Sequence, residues 1–206
     1  MTQEALFPLD PSDQPRAVGP VDVDATFSSA TRIHLDETSW IDHVNGWLTG
    51  HTTLMRLLKD AGDWEQRSRW MFTRLVAEPR LTAEYPDLGR APDPIPRLAA
   101  VLAAQYGVDY SRLWMNWYRD NNDSTGWHSD RPMNKLERVS IPVLSLGATR
   151  RFAIRPASGG PSVMLNVRGG DLIVMGGRCQ RDYQHMVPKE RTRASDRLSL
   201  NFSPAM

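Results

Sequence analysis

From residue 107 onward the chain alternates short apolar runs with turn-forming clusters. Candidate strands fall at 112–118, 138–146, 150–155, 163–167, 171–176, 182–187 and 197–202, separated by turns such as Gly159-Gly160-Pro161 and Gly169-Gly170-Asp171. Several short strands at near-regular spacing predict a sandwich or barrel rather than a parallel α/β sheet. The last strand shows the two-residue period most clearly. Leu198, Leu200 and Phe202 share one face, and Arg197, Ser199, Asn201 and Ser203 share the other.

Upstream the period changes. Asp36 reads as a helix N-cap, ahead of Trp40, Val44, Trp47, Leu48, Met55 and Leu58 at helical spacing, with Gly46 and Gly50 as places where that helix breaks. Ile95 to Tyr106 reads as a second helix with Leu98, Val101, Leu102 and Gln105 along one side. Between them, residues 61–96 carry Trp64, Trp70, Phe72, Arg74, Arg80 and Tyr85 among five prolines. A long irregular loop in a compact domain points to a functional element such as a lid. Residues 1–30, punctuated by Pro8, Pro11, Pro15 and Pro20, read as a loosely held arm. The expected organisation is that arm followed by one domain over 31–206. Its architecture is α+β, mainly β, with N-terminal helices packed on one sheet of a double-sheet core.

Length and composition agree. The 206 residues suffice for one substantial core, and no stretch approaches the roughly 18 apolar residues of a membrane span. The polar N-terminus is no signal peptide, and the single cysteine, Cys179, argues for a reducing compartment. A cytoplasmic monomer is therefore expected. Net charge is only +1, yet ten Arg or Lys face four Asp or Glu between Arg150 and Arg197. Arg150, Arg151, Arg155, Arg178, Arg181, Lys189, Arg191 and Arg193 could form a basic face that tracks phosphates.

The chemistry concentrates in the β half. His128 and Asp130 have the i, i+2 spacing that puts both on one face of a strand or its end, and His185 follows downstream. Two imidazoles and one carboxylate form the facial triad that holds a non-haem Fe(II). Arg197 suits an acidic cosubstrate, because its planar fork grips a carboxylate bidentately. Asn116 and Tyr118 share a strand face and offer an amide and a phenol donor to the same kind of anion.

Asn-x-Tyr, then His-x-Asp, then His, then Arg twelve positions on, resembles the AlkB family of Fe(II)/2-oxoglutarate-dependent dioxygenases. The segments YRDNNDSTGWHSDR (118–131), GGDLIVMGGRCQRDYQHMVPK (169–189) and RLSLNF (197–202) carry the likeness, which spans about residues 64–202. It implies a double-stranded β-helix, jelly-roll or cupin-like, with residues 61–96 as the substrate-recognition lid. It implies His128, Asp130 and His185 as iron ligands, and Arg197, Asn116 and Tyr118 as the 2-oxoglutarate site. Trp70 and Tyr85 are the implied base-contacting aromatics, Arg80 a phosphate or lid contact, and Arg131 a further substrate contact.

Two positions depart from the family pattern. Ser203 stands where a second arginine is usual, and Pro132 where an acidic base contact is frequent. The implied activity is oxidative dealkylation of N-alkylated bases in nucleic acid, as in DNA repair. Fe(II), O2 and 2-oxoglutarate are consumed or used, and succinate, CO2 and formaldehyde are released. The departures leave room for a hydroxylase or demethylase acting on RNA, a protein or a small molecule. A binding module without turnover is the third reading, which the complete set of iron and cosubstrate residues disfavours.

Overall fold

The computed structural model describes residues 19–71 and 73–205. Two antiparallel sheets face one another. The larger holds β2 (Ala30–His34), β3 (Ser39–Val44), β13 (Leu172–Gly177), β10 (Ile141–Gly147), β15 (Arg197–Pro204), β8 (Tyr110–Tyr118) and β7 (Leu81–Tyr85), in that order. The smaller holds β12 (Val163–Val167), β11 (Arg150–Pro156), β14 (Tyr183–Val187) and β9 (Thr125–His128). Two further pairs, β1 (Asp22–Val23) with β4 (Leu48–Thr49) and β5 (Ser68–Met71) with β6 (Arg74–Ala77), stand outside them. This is the double-sheet core that the strand pattern predicted.

Alternation within the larger sheet divides the protein into two compartments. Leu144, Leu172, Val174, Leu198, Leu200 and Phe202 meet the helices α1 (His51–Ala61) and α2 (Ile95–Tyr106) in one apolar cluster. Ile141, Val143, Ile173 and Met175 point the other way, toward Phe152, Ile154 and Val187 of the smaller sheet. Both faces of β10 and β13 are covered, which is why they read as continuous apolar runs. Helix α2 buries Ile95, Leu98, Ala99 and Leu102 and ends on Gly107, whose φ of 66° places it in the left-handed region. Its N–H closes on the Ala103 carbonyl, the usual helix stop.

The helix expected from Asp36 is absent, and Ser39–Val44 is strand β3. Trp40 and Val44 are four residues apart, a spacing compatible with the helical period and with the two-residue period. Burial decides: Ile41 enters the inter-sheet cluster and Val44 the helix-side cluster. The Asp36 carboxylate accepts from the N–H groups of Thr38 and Ser39, both at 2.7 Å, which makes it a turn residue between β2 and β3. The helix begins only at His51, after Gly50.

Residues 61–96 are more regular than the prolines suggested. They contain the β5–β6 hairpin, and β7 pairs with β8 on the edge of the larger sheet. Of the expected arm, residues 1–18 lie outside the described residues. From residue 19 the chain is tied in: β1 pairs with β4, and Phe27 is buried against Trp47 with ring centroids 5.8 Å apart. The basic stretch does not form one phosphate-tracking face. Arg150 is 1% exposed and donates to the carbonyls of Asp120, Asp123 and Pro188. Arg151 pairs with Glu190, Arg178 and Arg181 with Glu137, and Arg155 lies 4.1 Å over the Trp127 ring. Lys189, Arg191 and Arg193 stay exposed in the loop before β15. Among the described residues, no helix is long and apolar enough to cross a membrane.

Candidate active site

His128 closes β9 and is the register partner of His185 on β14. Partners across an antiparallel ladder share a face, and the two imidazole centroids are 4.2 Å apart. Asp130 lies in the turn just past β9, with Oδ1 at 3.6 Å from Nε2 of both histidines. The three donor atoms lie within 4.8 Å of one another. His128 Nδ1 is 2.9 Å from the Gly126 carbonyl, which makes that nitrogen the donor and leaves Nε2 facing Asp130. His185 is buried, and burial pushes its pKa down to about 4, keeping the imidazole neutral. Its ring stacks on Phe152 at 5.6 Å.

Gln180, on the short helix α3 (Cys179–Asp182), completes the cluster. Its Oε1 accepts from the Asp130 N–H at 2.8 Å and its Nε2 donates to Asp130 Oδ2 at 2.8 Å. Asp130 Oδ1 is thereby left to face the histidines. Gln180 sits inside a quoted motif, but no periodicity or spacing singles it out; its partner is fifty residues away in sequence.

A second constellation lies on the interior faces of β8 and β15. Arg197 is opposite Tyr118 and Ser199 opposite Asn116 in the ladder. Arg197 is 2% exposed, and burial pulls its guanidinium down to about 10. Its Nε donates to Ser145 Oγ at 2.8 Å, while its buried Nη1 has no partner among the described residues. Its guanidinium carbon lies 5.4 Å from the Tyr118 ring centroid, and the Tyr118 hydroxyl is 2.9 Å from Thr125 Oγ1. The polar face of β15 therefore looks inward, not to solvent. Asn116 Oδ1 accepts from Arg80 Nε at 2.9 Å and Trp114 Nε1 at 3.1 Å, and its Nδ2 donates to Ser199 at 3.1 Å. Two donors on Oδ1 set the amide's orientation and point its NH2 group into the interior.

Both constellations line one cavity of about 760 Å³. The triad forms part of its wall with Phe152, and Arg197, Asn116 and Tyr118 form another part. The residues fit an iron and an acidic cosubstrate: two imidazoles and a carboxylate converge, and among the described residues the buried guanidinium beside them lacks an anion. The outer wall carries Arg67, Arg69, Arg80, Arg112 and Arg131 with Glu78 and Glu84.

The expected substrate contacts scatter. Tyr85 and Arg131 line the cavity. Trp70, at 74% exposure on β5, does not. Arg80 also lines the cavity, mostly buried, paired to Glu78 at 2.8 Å and bonded to Asn116, so it orients a cavity side chain.

Comparison with known proteins gives this cavity a family. The profile of the 2OG-Fe(II) oxygenase superfamily matches residues 66–202. The alpha-ketoglutarate-dependent dioxygenase alkB homolog 3 of Rattus norvegicus is 32% identical over 191 residues, covering 82% of this chain and 60% of that protein. The DNA oxidative demethylase ALKBH2 of Arabidopsis thaliana is 27% identical over 137 residues, covering 53% of this chain and 44% of that protein. The chain thus spans less than two thirds of the length of these relatives. The solved structure of OsALKBH1 superposes with a TM-score of 0.61 at 12% identity, over 85% of this chain and 100% of that one, a likeness of fold. Since the family match covers both the triad and the Arg197 strand, the chain belongs to the 2OG-Fe(II) oxygenase superfamily, and the relatives it is similar to are AlkB-type dioxygenases.

Proposed function

We propose that the chain removes N-linked alkyl groups from bases in nucleic acid and that it serves the repair of alkylated DNA. His128, Asp130 and His185 would hold the Fe(II); Arg197, Asn116 and Tyr118 would hold 2-oxoglutarate. The observation that carries this reading is Arg197 Nη1, buried and without a partner on the cavity that holds the triad. A buried cation without an anion is unfavourable by several kcal/mol, and the distal carboxylate of a keto diacid removes that penalty.

When bound, iron and 2-oxoglutarate would supply the oxidising chemistry: 2-oxoglutarate would lose CO2 and take one atom of O2 as succinate, and the other would go to the alkyl carbon, which leaves as formaldehyde when the group is a methyl. The chain's own residues orient and shield. Gln180 fixes Asp130, Gly126 fixes His128, and Phe152 keeps water from His185. Arg197, braced by Ser145, would grip the diacid, and Arg80 and Trp114 fix the orientation of the Asn116 amide on the cavity wall. The arginines of the outer wall and the likeness to a DNA oxidative demethylase support a polyanionic substrate carrying the base.

The test is a turnover panel with Fe(II), 2-oxoglutarate and ascorbate on methylated single- and double-stranded DNA and RNA. Formaldehyde released in step with succinate from at least one DNA is the expected result. Succinate without formaldehyde from every oligonucleotide moves the substrate to a protein or small molecule. No 2-oxoglutarate decarboxylation at all overturns the catalytic reading.

A further inference from the structure

We infer that Arg112 is a substrate-positioning residue that grips a phosphodiester of the strand carrying the target base. The inference rests on the nucleic-acid reading above and adds to it a residue that neither motif spacing nor family likeness singles out.

Arg112 lies on β8 on the same face as Trp114, Asn116 and Tyr118, and it lines the cavity with them. Its register partner across the β8–β15 ladder is Ser203, a small side chain on the same cavity wall. Among the described residues, Arg112 has no hydrogen bond, ion pair or ring contact. The carboxylates on the cavity wall are engaged by other groups. Glu78 pairs with Arg80 at 2.8 Å and Arg69 at 3.8 Å, Glu84 with Arg67 at 3.6 Å, and Asp130 with Gln180 at 2.8 Å. A half-buried guanidinium left in this way is set up for an anion from outside the chain.

That anion is not the cosubstrate. Arg112 sits six residues along β8 from Tyr118, the partner of Arg197. At about 3.3 Å per residue the separation is roughly 20 Å, farther than a five-carbon diacid reaches from Arg197. A phosphodiester next to an extruded base comes to the outer wall, and Arg112 is there on a strand, held in register rather than on a loop. Arg131 likewise has no partner among the described residues, but it is exposed in the turn after Asp130.

Three variants test this: Arg112→Ser, Arg112→Lys, and the exchange Arg112→Ser with Ser203→Arg. The readouts are KM and kcat on a methylated single-stranded oligonucleotide, KM for 2-oxoglutarate, and the salt dependence of oligonucleotide binding by fluorescence anisotropy. Arg112→Ser is expected to raise the oligonucleotide KM about tenfold, the scale of one lost charge-assisted hydrogen bond. The slope of log affinity against log salt should fall by about 0.7, one phosphate contact on a single strand. Arg112→Lys should keep the slope and recover part of KM. The exchange should restore both, since it returns a guanidinium to the same rung from the other strand.

An unchanged slope in Arg112→Ser overturns the inference while leaving the dealkylase reading intact. A rise in 2-oxoglutarate KM alone assigns Arg112 to the cosubstrate and overturns it too. Wild-type protein that neither binds nor demethylates oligonucleotides sinks both.

Discussion

The side-chain amide of Gln180 holds Asp130 at two points, accepting from its backbone N–H and donating to its carboxylate, each at 2.8 Å. This ring spans the turn after β9 and helix α3, and it leaves the second carboxylate oxygen 3.6 Å from both histidines. Groups that orient a metal ligand are worth about 10–100-fold in metal affinity. Gln180→Leu is therefore expected to weaken Fe(II) or Co(II) binding by that factor, read by metal titration, with secondary structure unchanged. Asp130→Ala should abolish both metal binding and 2-oxoglutarate turnover. Normal turnover in Asp130→Ala would refute the metal assignment.

Arg197 makes an opposite pair of demands on stability and function. Its buried Nη1 lacks a partner until an anion arrives, so Arg197→Met should leave the apoprotein as stable as wild type or more stable. The same change should raise the 2-oxoglutarate requirement by at least two orders of magnitude. In wild type, 2-oxoglutarate at a hundred times its Kd should add about 2.7 kcal/mol of stability. Thermal melts with and without the cosubstrate separate the two effects. A variant whose melting point still rises with 2-oxoglutarate would contradict this placement.

Arg80 acts through Asn116. Removing it frees Asn116 Oδ1 from one of its two donors, so the amide can turn over. Arg80→Ala is expected to raise KM for 2-oxoglutarate several-fold, a change of about 1 kcal/mol, with a smaller effect on kcat. Arg80→Lys should recover part of it. An effect on the oligonucleotide KM alone would return Arg80 to direct substrate contact.

Cys179 is buried, and burial pushes its thiol up to about 12. The thiolate is the reactive form, so iodoacetamide at neutral pH should modify Cys179 only as fast as the protein unfolds. Fast labelling of native protein would mean that the α3 region opens locally.

The β half of the protein was legible because its strands carry one sided or two sided apolar runs bounded by Gly, Pro and Asn. The His-x-Asp spacing and the alternation after Arg197 likewise survive into the structure as shared faces. Residues 36–44 were misread because Trp40 and Val44 fit both periods, and Asp36 chemistry suits a turn as well as a helix start. The contacts of Arg80 and Gln180 were not legible for a different reason. Their roles rest on bonds to Asn116 and Asp130, thirty-six and fifty residues away, and no local pattern encodes such distances.

The larger sheet is a partition with dry packing on one side and chemistry on the other. Leu98→Ala in helix α2, on the dry side, should cost about 2–5 kcal/mol while leaving kcat per folded molecule unaltered, measured by denaturation and active-site titration. Because α2 and the triad share no side-chain hydrogen-bond partners among the described residues, losses on the two sides should add. Such insulation lets the helices drift in sequence, trading robustness for other properties, without retuning the oxidation chemistry behind the sheet.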